Sequence, residues 1–169
     1  MIPRHRLRLD TDAYGRTSSI CSITTVTRDR AKIFADVRVA AAAVEVLIER
    51  ASRHEVVVHA FCVMPDHVHL LVSPSTSCGV IQFVGEFKNL SQRAAWRLGV
   101  RGAFWHPSFH DRFLRDDDDV EVIVAYILNN PVRAGLRQTA TDYPFSGTVD
   151  VRFGGKPLAP PADKPPTHE

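Results

Sequence analysis

The stretch FCVMPDHVHLLV, residues 61–72, is the segment from which the fold and the candidate site are predicted. An apolar run and a Pro-Asp break precede a second run, in which one valine separates His67 from His69. Successive side chains of a β-strand point to opposite faces, so the two histidines share a face while Val68 points to the other. Two adjacent imidazoles could be half of a metal site or ordinary histidines satisfied by hydrogen bonds, and this stretch alone leaves both open.

Strand and helix patterns extend outward from this stretch in both directions. The apolar residues 56–64, with residues 67–73 after the break, predict an antiparallel hairpin. The β-branched segment 18–27 and the segment 108–115 predict two further strands. Apolar residues at helical spacing predict three helices, at residues 36–53, 80–98 and 120–130, and Pro131 is expected to end the last one.

This order of elements predicts an α+β fold. We expect a ferredoxin-like four-stranded antiparallel sheet with two helices on one face, and a third helix available to cover the other face. A ligand site would then lie between the third helix and the sheet. The predicted organisation is a domain at residues 18–150, a basic arm at residues 1–17 and a Pro-rich tail at residues 151–169, which has almost nothing to bury and is predicted to be disordered.

Composition indicates an ordinary soluble domain, since 44% of the 169 residues are hydrophobic and 24% are charged. The three cysteines lack a paired metal-binding spacing, so reduced and buried thiols in an intracellular protein are expected. No window approaches the roughly 18 apolar residues of a membrane span. The N-terminus also lacks the apolar core of a signal peptide, and we therefore expect a cytoplasmic protein without membrane contact.

Positive charge is concentrated in two places, although the net charge is only +2. Each cluster by itself is more often a solvated surface than a footprint for nucleic acid. The clusters are the arm residues Arg4, Arg6 and Arg8, and the helical residues Lys88, Arg93, Arg97 and Arg101.

The third predicted helix carries Tyr126 and, four residues later, Asn130, which places the phenol and the amide on one helix face. By itself the pair could be a core tyrosine beside a helix C-cap. Beside His67 and His69 it suggests chemistry, because two imidazole nitrogens and an amide oxygen leave metal coordination positions open for a substrate oxygen. Tyr126 is then a candidate nucleophile.

Three motifs carry a family resemblance: MPDHVHLLV at residues 64–72, AYILNNPVRAGL at residues 125–136 and DYPFSG at residues 142–147. Together with FWHPSFHDRFLR at residues 104–115, they resemble the single-tyrosine HUH transposases of bacterial insertion sequences, and most closely the REP-associated tyrosine transposases. The His-hydrophobic-His element is short and weak alone. Its combination with the tyrosine segment at this distance makes the resemblance specific.

The resemblance implies a role for each matching residue. His67 and His69 correspond to the histidines that bind a divalent metal, Mg²⁺ or Mn²⁺, and Asn130 corresponds to the third ligand. Tyr126 corresponds to the nucleophile that attacks single-stranded DNA, leaving a 5′-phosphotyrosine and a free 3′-OH. Ligand softness makes Mn²⁺ the better match to two imidazoles.

The resemblance also implies hairpin DNA as a partner, bound by a monomer or a homodimer. The candidate DNA-binding residues are Arg4, Arg6, Arg8, Lys88, Arg93 and Arg97. The chain departs from the family at Asn129, where related sequences often carry leucine, and in the arm, which has no motif that aligns.

Two alternatives remain to be weighed. Histidine-triad nucleotide hydrolases also use a His-hydrophobic-His strand, but their nucleophile is a further histidine at the position that Leu71 occupies here, which argues against this class. A domesticated, non-catalytic protein that binds DNA hairpins would retain the same fold and stays open as the alternative.

Overall fold

The computed structural model of the protein describes residues 19–149, in which five antiparallel strands form one sheet of order β4-β1-β3-β2-β5. The strands are β1 (Cys21–Val26), β2 (Val57–Met64), β3 (His67–Ser73), β4 (His110–Phe113) and β5 (Ser146–Val149). The helices are α1 (Val37–His54), α2 (Val80–Arg97), α3 (Val120–Leu128) and the short α4 (Asn130–Arg133). Single turns of 3₁₀-helix occur at Ile33–Ala35 and Ala140–Asp142, and Arg28–Arg30 forms a tight turn that is not regularly helical. The predicted arm and tail lie outside the described residues.

Helices α1 and α2 cover one face of the sheet. Their apolar stripes bury Leu47 of α1 and Phe87 of α2 against the sheet residues Phe61, Val68 and Leu70. Each such side chain stabilises the fold by roughly 1.5–3 kcal/mol when it is fully buried. The main core therefore lies between these two helices and the sheet.

Helix α3 packs on the opposite face. Ile127 of α3 joins a second apolar cluster that includes Cys62 and Met64 of β2 and Leu71 of β3. Because α3 and the α1/α2 pair sandwich β2, most of this strand is buried on both faces, which explains why residues 56–64 are apolar except for His59.

The structure corrects the predicted four-stranded sheet. A fifth strand, β5, pairs with β2, with Cys62 opposite Ser146 and Val58 opposite Val149. The sequence gives no clear strand signal for β5, because this strand is only four residues long and follows Pro144 closely. The predicted succession of the first four strands and three main helices is confirmed.

The structure also corrects the end of the third helix. Helix α3 ends at Leu128, and Pro131 does not end a helix but lies in the first turn of α4. Proline fits this position because the first turn of a helix leaves its backbone N–H groups without intrahelical acceptors. Tyr126 and Asn130 therefore belong to two successive helices.

The three cysteines, Cys21, Cys62 and Cys78, are free and buried, as predicted. Burial raises the pKa of both Cys21 and Cys62 to about 12, so both thiols are protonated at neutral pH. Within residues 19–149, no helix has the length and apolar character needed to cross a membrane.

Candidate functional site

The two histidines lie on β3, the middle strand of the sheet. In the strand register, His67 is opposite Met64 and His69 is opposite Cys62, and both partners belong to the cluster that packs against α3. Cross-strand partners share a face, so the imidazoles lie on the α3 side and not beneath α1 and α2. The histidine pair therefore lies at the centre of the sheet, and its chemical role stays a prediction.

The Nε2 atoms of the two imidazoles converge to 3.1 Å. Their other ring nitrogens have oxygen partners: Nδ1 of His67 lies 2.5 Å from a carboxylate oxygen of Asp66, and Nδ1 of His69 lies 2.9 Å from the hydroxyl of Thr24. If each Nδ1–H donates to its oxygen partner, both Nε2 lone pairs point toward one place. This arrangement of ring nitrogens suits a shared cation.

His69 is held in its neutral form. Burial lowers its pKa to about 4, and the neighbouring residues His67, Arg133 and Arg30 act in the same direction. At neutral pH the ring therefore keeps an unprotonated nitrogen, which is the form that binds metal ions.

The donor set fits a divalent metal ion. Adjacent ligands of an octahedral ion at about 2.1 Å are about 3.0 Å apart, close to the separation observed for the two Nε2 atoms. A carboxylate and a hydroxyl behind the imidazoles are typical outer partners of metal-binding histidines. Among residues 19–149, no third histidine, cysteine or carboxylate completes a metal-binding group, so a further protein ligand would be an amide, a hydroxyl or a carbonyl.

Tyr126 lies near the end of α3, with 51% of its surface exposed. The helix begins where the Asp119 carboxylate accepts hydrogen bonds from the backbone N–H groups of Glu121 and Val122. The next residue, Ile127, is buried in the cluster that contains the cross-strand partners of the histidines. The fold therefore fixes the tyrosine backbone against the sheet while the phenol stays accessible.

Asn130 starts α4 and caps the end of α3. Its amide nitrogen donates to the backbone carbonyls of Tyr126, at 3.1 Å, and Ile127, at 3.2 Å. Its amide oxygen accepts no hydrogen bond from the described residues, which leaves that atom available as a ligand. The structure thus shows the capping role that the sequence left open, and the ligand role stays a prediction.

Two arginines that sequence reasoning missed flank the histidines. Arg30 and the preceding Asp29 both have left-handed backbone conformations, with φ of 55° and 54°, a strained geometry that often accompanies function. The Arg30 guanidinium lies 3.7 Å from the Asp66 carboxylate, the partner of His67.

Arg133 of α4 lies over the Tyr126 ring, 4.3 Å from its centroid. The spacing of seven residues between Tyr126 and Arg133 is the sequence signal that could have revealed this pair.

The predicted DNA-binding residues of α2 have different surroundings. Arg93 and Arg97 are exposed. Lys88 borders a groove of about 410 Å³, and its ammonium donates to the carbonyls of His106, at 2.6 Å, and Pro107, at 3.3 Å. Burial lowers the pKa of Lys88. Its contacts hold the 106–107 loop, and DNA binding by all three residues stays a prediction.

The remaining predicted DNA-binding residues, Arg4, Arg6 and Arg8, lie outside the described residues. The groove beside α2 lies on the face of the sheet that α1 and α2 cover. It is not lined by His67, His69, Tyr126 or Asn130.

Comparison with known sequences gives one family and two relatives. The family model described as "Transposase IS200 like" matches residues 17–130. A REP-associated tyrosine transposase of Escherichia coli is 27% identical over 89 residues, covering 53% of this chain and 52% of the relative. A Haemophilus influenzae protein assigned to the same group is 31% identical over 98 residues, covering 52% of this chain and 56% of the relative. The chain thus spans about half the length of the curated relatives it matches.

Two solved structures share the fold. A REP-associated tyrosine transposase bound to a REP hairpin has a TM-score of 0.64 and 23% identity, covering 92% of this chain and 93% of that chain. A protein of Deinococcus radiodurans assigned as a transposase has a TM-score of 0.52 and 24% identity, covering 68% of this chain and 93% of that chain.

Proposed function

The chain belongs to the IS200-like transposase family, and from this premise we propose that it cleaves and rejoins single-stranded DNA at hairpins formed by palindromic repeats. The proposed enzyme is metal-dependent and works through a 5′-phosphotyrosine intermediate on Tyr126. The structural neighbour bound to a REP hairpin supports hairpin DNA as the substrate.

The observation that carries this proposal is the convergence of the two histidine Nε2 atoms at 3.1 Å on the face of the sheet against which the Tyr126 helix packs. With Nδ1–H of each ring donating to its oxygen partner, both Nε2 atoms would be free to bind one cation. A cation site beside an accessible phenol suits phosphodiester chemistry, in which negative charge develops on the phosphate oxygens.

In the proposed reaction, the Tyr126 oxygen bonds to phosphorus as the bond between phosphorus and the 3′ oxygen breaks. The phenolic proton is lost, and the released 3′ oxygen gains one. The product remains a phosphodiester, so its bond energy is retained for rejoining the strand to another end. Asp66 and Thr24 orient the two imidazoles, and Asn130 fixes the last turn before α4.

His67, His69 and the amide oxygen of Asn130 are the groups that would hold the metal ion, which we propose to be Mg²⁺ or Mn²⁺. When bound, the ion offsets charge on a non-bridging phosphate oxygen and orients the scissile bond. The two imidazoles favour Mn²⁺ over Mg²⁺, because imidazole is a softer ligand than water or carboxylate.

The first prediction separates DNA binding from chemistry. Tyr126→Phe should bind a labelled hairpin oligonucleotide but form no covalent adduct, since phenylalanine keeps the ring and removes the attacking oxygen. Wild type with Mg²⁺ or Mn²⁺ should give a protein-linked band on a denaturing gel. His67→Ala should also lose the band, but through loss of metal binding, which calorimetry with Mn²⁺ would report.

Tyr143→Phe is the matched control for the loss of a phenol. The Tyr143 hydroxyl is buried and donates to the Val63 carbonyl at 2.7 Å, so its loss should lower stability but leave the adduct intact. An adduct that persists in Tyr126→Phe would assign the nucleophile to another residue. Tight hairpin binding by wild type without any adduct, with either metal, would support the non-catalytic hairpin binder instead.

A further inference from the structure

We propose that Arg133 is a further catalytic residue, whose guanidinium binds the phosphate that Tyr126 attacks. This inference rests on the proposed function. It adds a positively charged group beside Tyr126 that binds the phosphate under attack.

The position of Arg133 is set by the short helix that follows the tyrosine helix. Its backbone N–H donates to the Asn129 carbonyl at 3.0 Å, and α4 is closed by Gly135, whose φ of 70° allows the chain to turn back. The guanidinium carbon then lies 4.3 Å from the centroid of the Tyr126 ring. A cation at this distance is attracted by the ring, so the arginine is held beside the phenol.

The guanidinium of Arg133 makes no hydrogen bond or ion pair with residues 19–149. This sets it apart from Arg112, which pairs with Asp118, and from Arg28, which donates to the Trp105 carbonyl. An exposed guanidinium with all its N–H donors available can bind two oxygens of one phosphate. Arg133 therefore offers an anion site next to the attacking oxygen.

The histidine pair lies on the same side of the sheet as Arg133. Ile127, the neighbour of Tyr126 in the chain, packs in one cluster with Cys62 and Met64, the cross-strand partners of the histidines. Arg133 itself lies over the ring of Tyr126. A phosphate within reach of both the imidazoles and Tyr126 would thus also be within reach of this guanidinium.

A cation beside Tyr126 would stabilise the transition state of strand cleavage. As the bond from the Tyr126 oxygen to phosphorus forms and the bond to the 3′ oxygen breaks, charge accumulates on the non-bridging oxygens, and no oxidant or cosubstrate is consumed. N–H donors already aimed at those oxygens stabilise the transition state more than the substrate. Removing such a donor typically slows a reaction about 10²–10³-fold.

The test compares single-turnover cleavage rates on two hairpin substrates, one with a normal scissile phosphodiester and one with a methylphosphonate there, each stereoisomer being assayed separately. The methyl group removes the negative charge that Arg133 would neutralise. Arg133→Ala should be about 10²–10³-fold slower than wild type on the diester, and within about tenfold of wild type on one methylphosphonate isomer. Arg133→Lys should be intermediate, because lysine keeps the charge but lacks the paired donors.

Arg53→Ala is the matched control for charge, since Arg53 is an exposed residue in the last turn of α1, a helix on the other face of the sheet. It should match wild type on both substrates. Equal rates of Arg133→Ala and wild type on the diester would overturn the inference, and so would an equal defect on both substrates, which indicates a structural role. Failure of wild type to form any adduct would overturn the proposed function, and this inference with it.

Discussion

At the scale of single residues, the partners of the imidazoles matter as much as the imidazoles. Thr24 approaches Nδ1 of His69 from the neighbouring strand β1, and Asp66 approaches Nδ1 of His67 from the preceding turn. A partner on Nδ1 fixes both the orientation of the ring and the tautomer in which Nε2 is free. The ability of the pair to bind metal should therefore depend on Thr24.

Thr24→Val should weaken Mn²⁺ binding by roughly 10–100-fold, the usual cost of removing an outer partner of a metal-binding histidine. Valine keeps the branched shape suited to a strand and removes only the hydroxyl. Calorimetric titration with Mn²⁺ measures the change, and the adduct assay should show a parallel loss at low metal concentration.

Thr25→Val is the control from the same strand. Thr25 points to the opposite face of the sheet, and its buried hydroxyl has no hydrogen-bond partner among residues 19–149. Its replacement by valine should leave metal affinity unchanged and stability equal or higher, since no hydrogen bond is lost. If both variants bind Mn²⁺ as wild type does, Thr24 does not support the histidine.

At the scale of elements, α2 contains an exposed glycine that nothing in the described structure requires. A Cβ added at Gly85 would have no neighbour within 4 Å. Glycine inside a helix is less favourable than alanine by about 1 kcal/mol. Gly85→Ala should therefore raise the free energy of unfolding by about 0.5–1 kcal/mol, measured by urea denaturation.

Gly135→Ala is expected to have the opposite effect, a loss of stability. A Cβ at Gly135 would also have no neighbour within 4 Å, but the residue has a φ of 70°, which alanine adopts only at a cost. We expect this variant to lose about 1–2 kcal/mol of stability. A gain in stability at position 135, or a loss at position 85, would contradict the argument from backbone conformation.

At the scale of the whole molecule, the distribution of charge matters more than the net charge of +2. Arg93 and Arg97 are exposed on α2, whereas the Lys88 ammonium holds the carbonyls of His106 and Pro107. Exposed arginines can release counterions from DNA when they bind phosphates, and an ammonium already occupied by carbonyls contributes less.

DNA affinity should accordingly depend on salt through specific arginines. For single-stranded DNA, the slope of log affinity against log salt changes by about 0.7 per neutralised phosphate. Replacing Arg93 and Arg97 together by alanine should flatten the slope by about twice that amount, and replacing Arg4, Arg6 and Arg8 by about three times. Fluorescence anisotropy at several salt concentrations gives the slopes.

Lys88→Ala should instead lower the melting temperature and change the slope little. An unchanged slope after loss of either arginine set would mean that the set does not contact DNA.

Elements with a local sequence signal were predictable from the residues alone. The two-residue period of the histidine strand and the helical spacing of α1, α2 and α3 were sufficient to predict their order and the shared face of His67 and His69. The order of the elements left the other face of the sheet available to the helix that carries Tyr126. Residue types and spacing are sufficient to predict strands and helices, because these structures repeat with short, fixed periods along the chain.

Features that depend on contacts between distant segments emerged from the three-dimensional structure. The pairing of β5 with β2, the approach of Thr24 to His69 and the position of Arg30 near Asp66 join residues that are far apart in the chain. No local period encodes such contacts, because strand register and loop geometry come from the packing of the whole sheet. The break between α3 and α4, which places Arg133 over Tyr126, likewise follows from how the chain turns at Asn129 and Asn130.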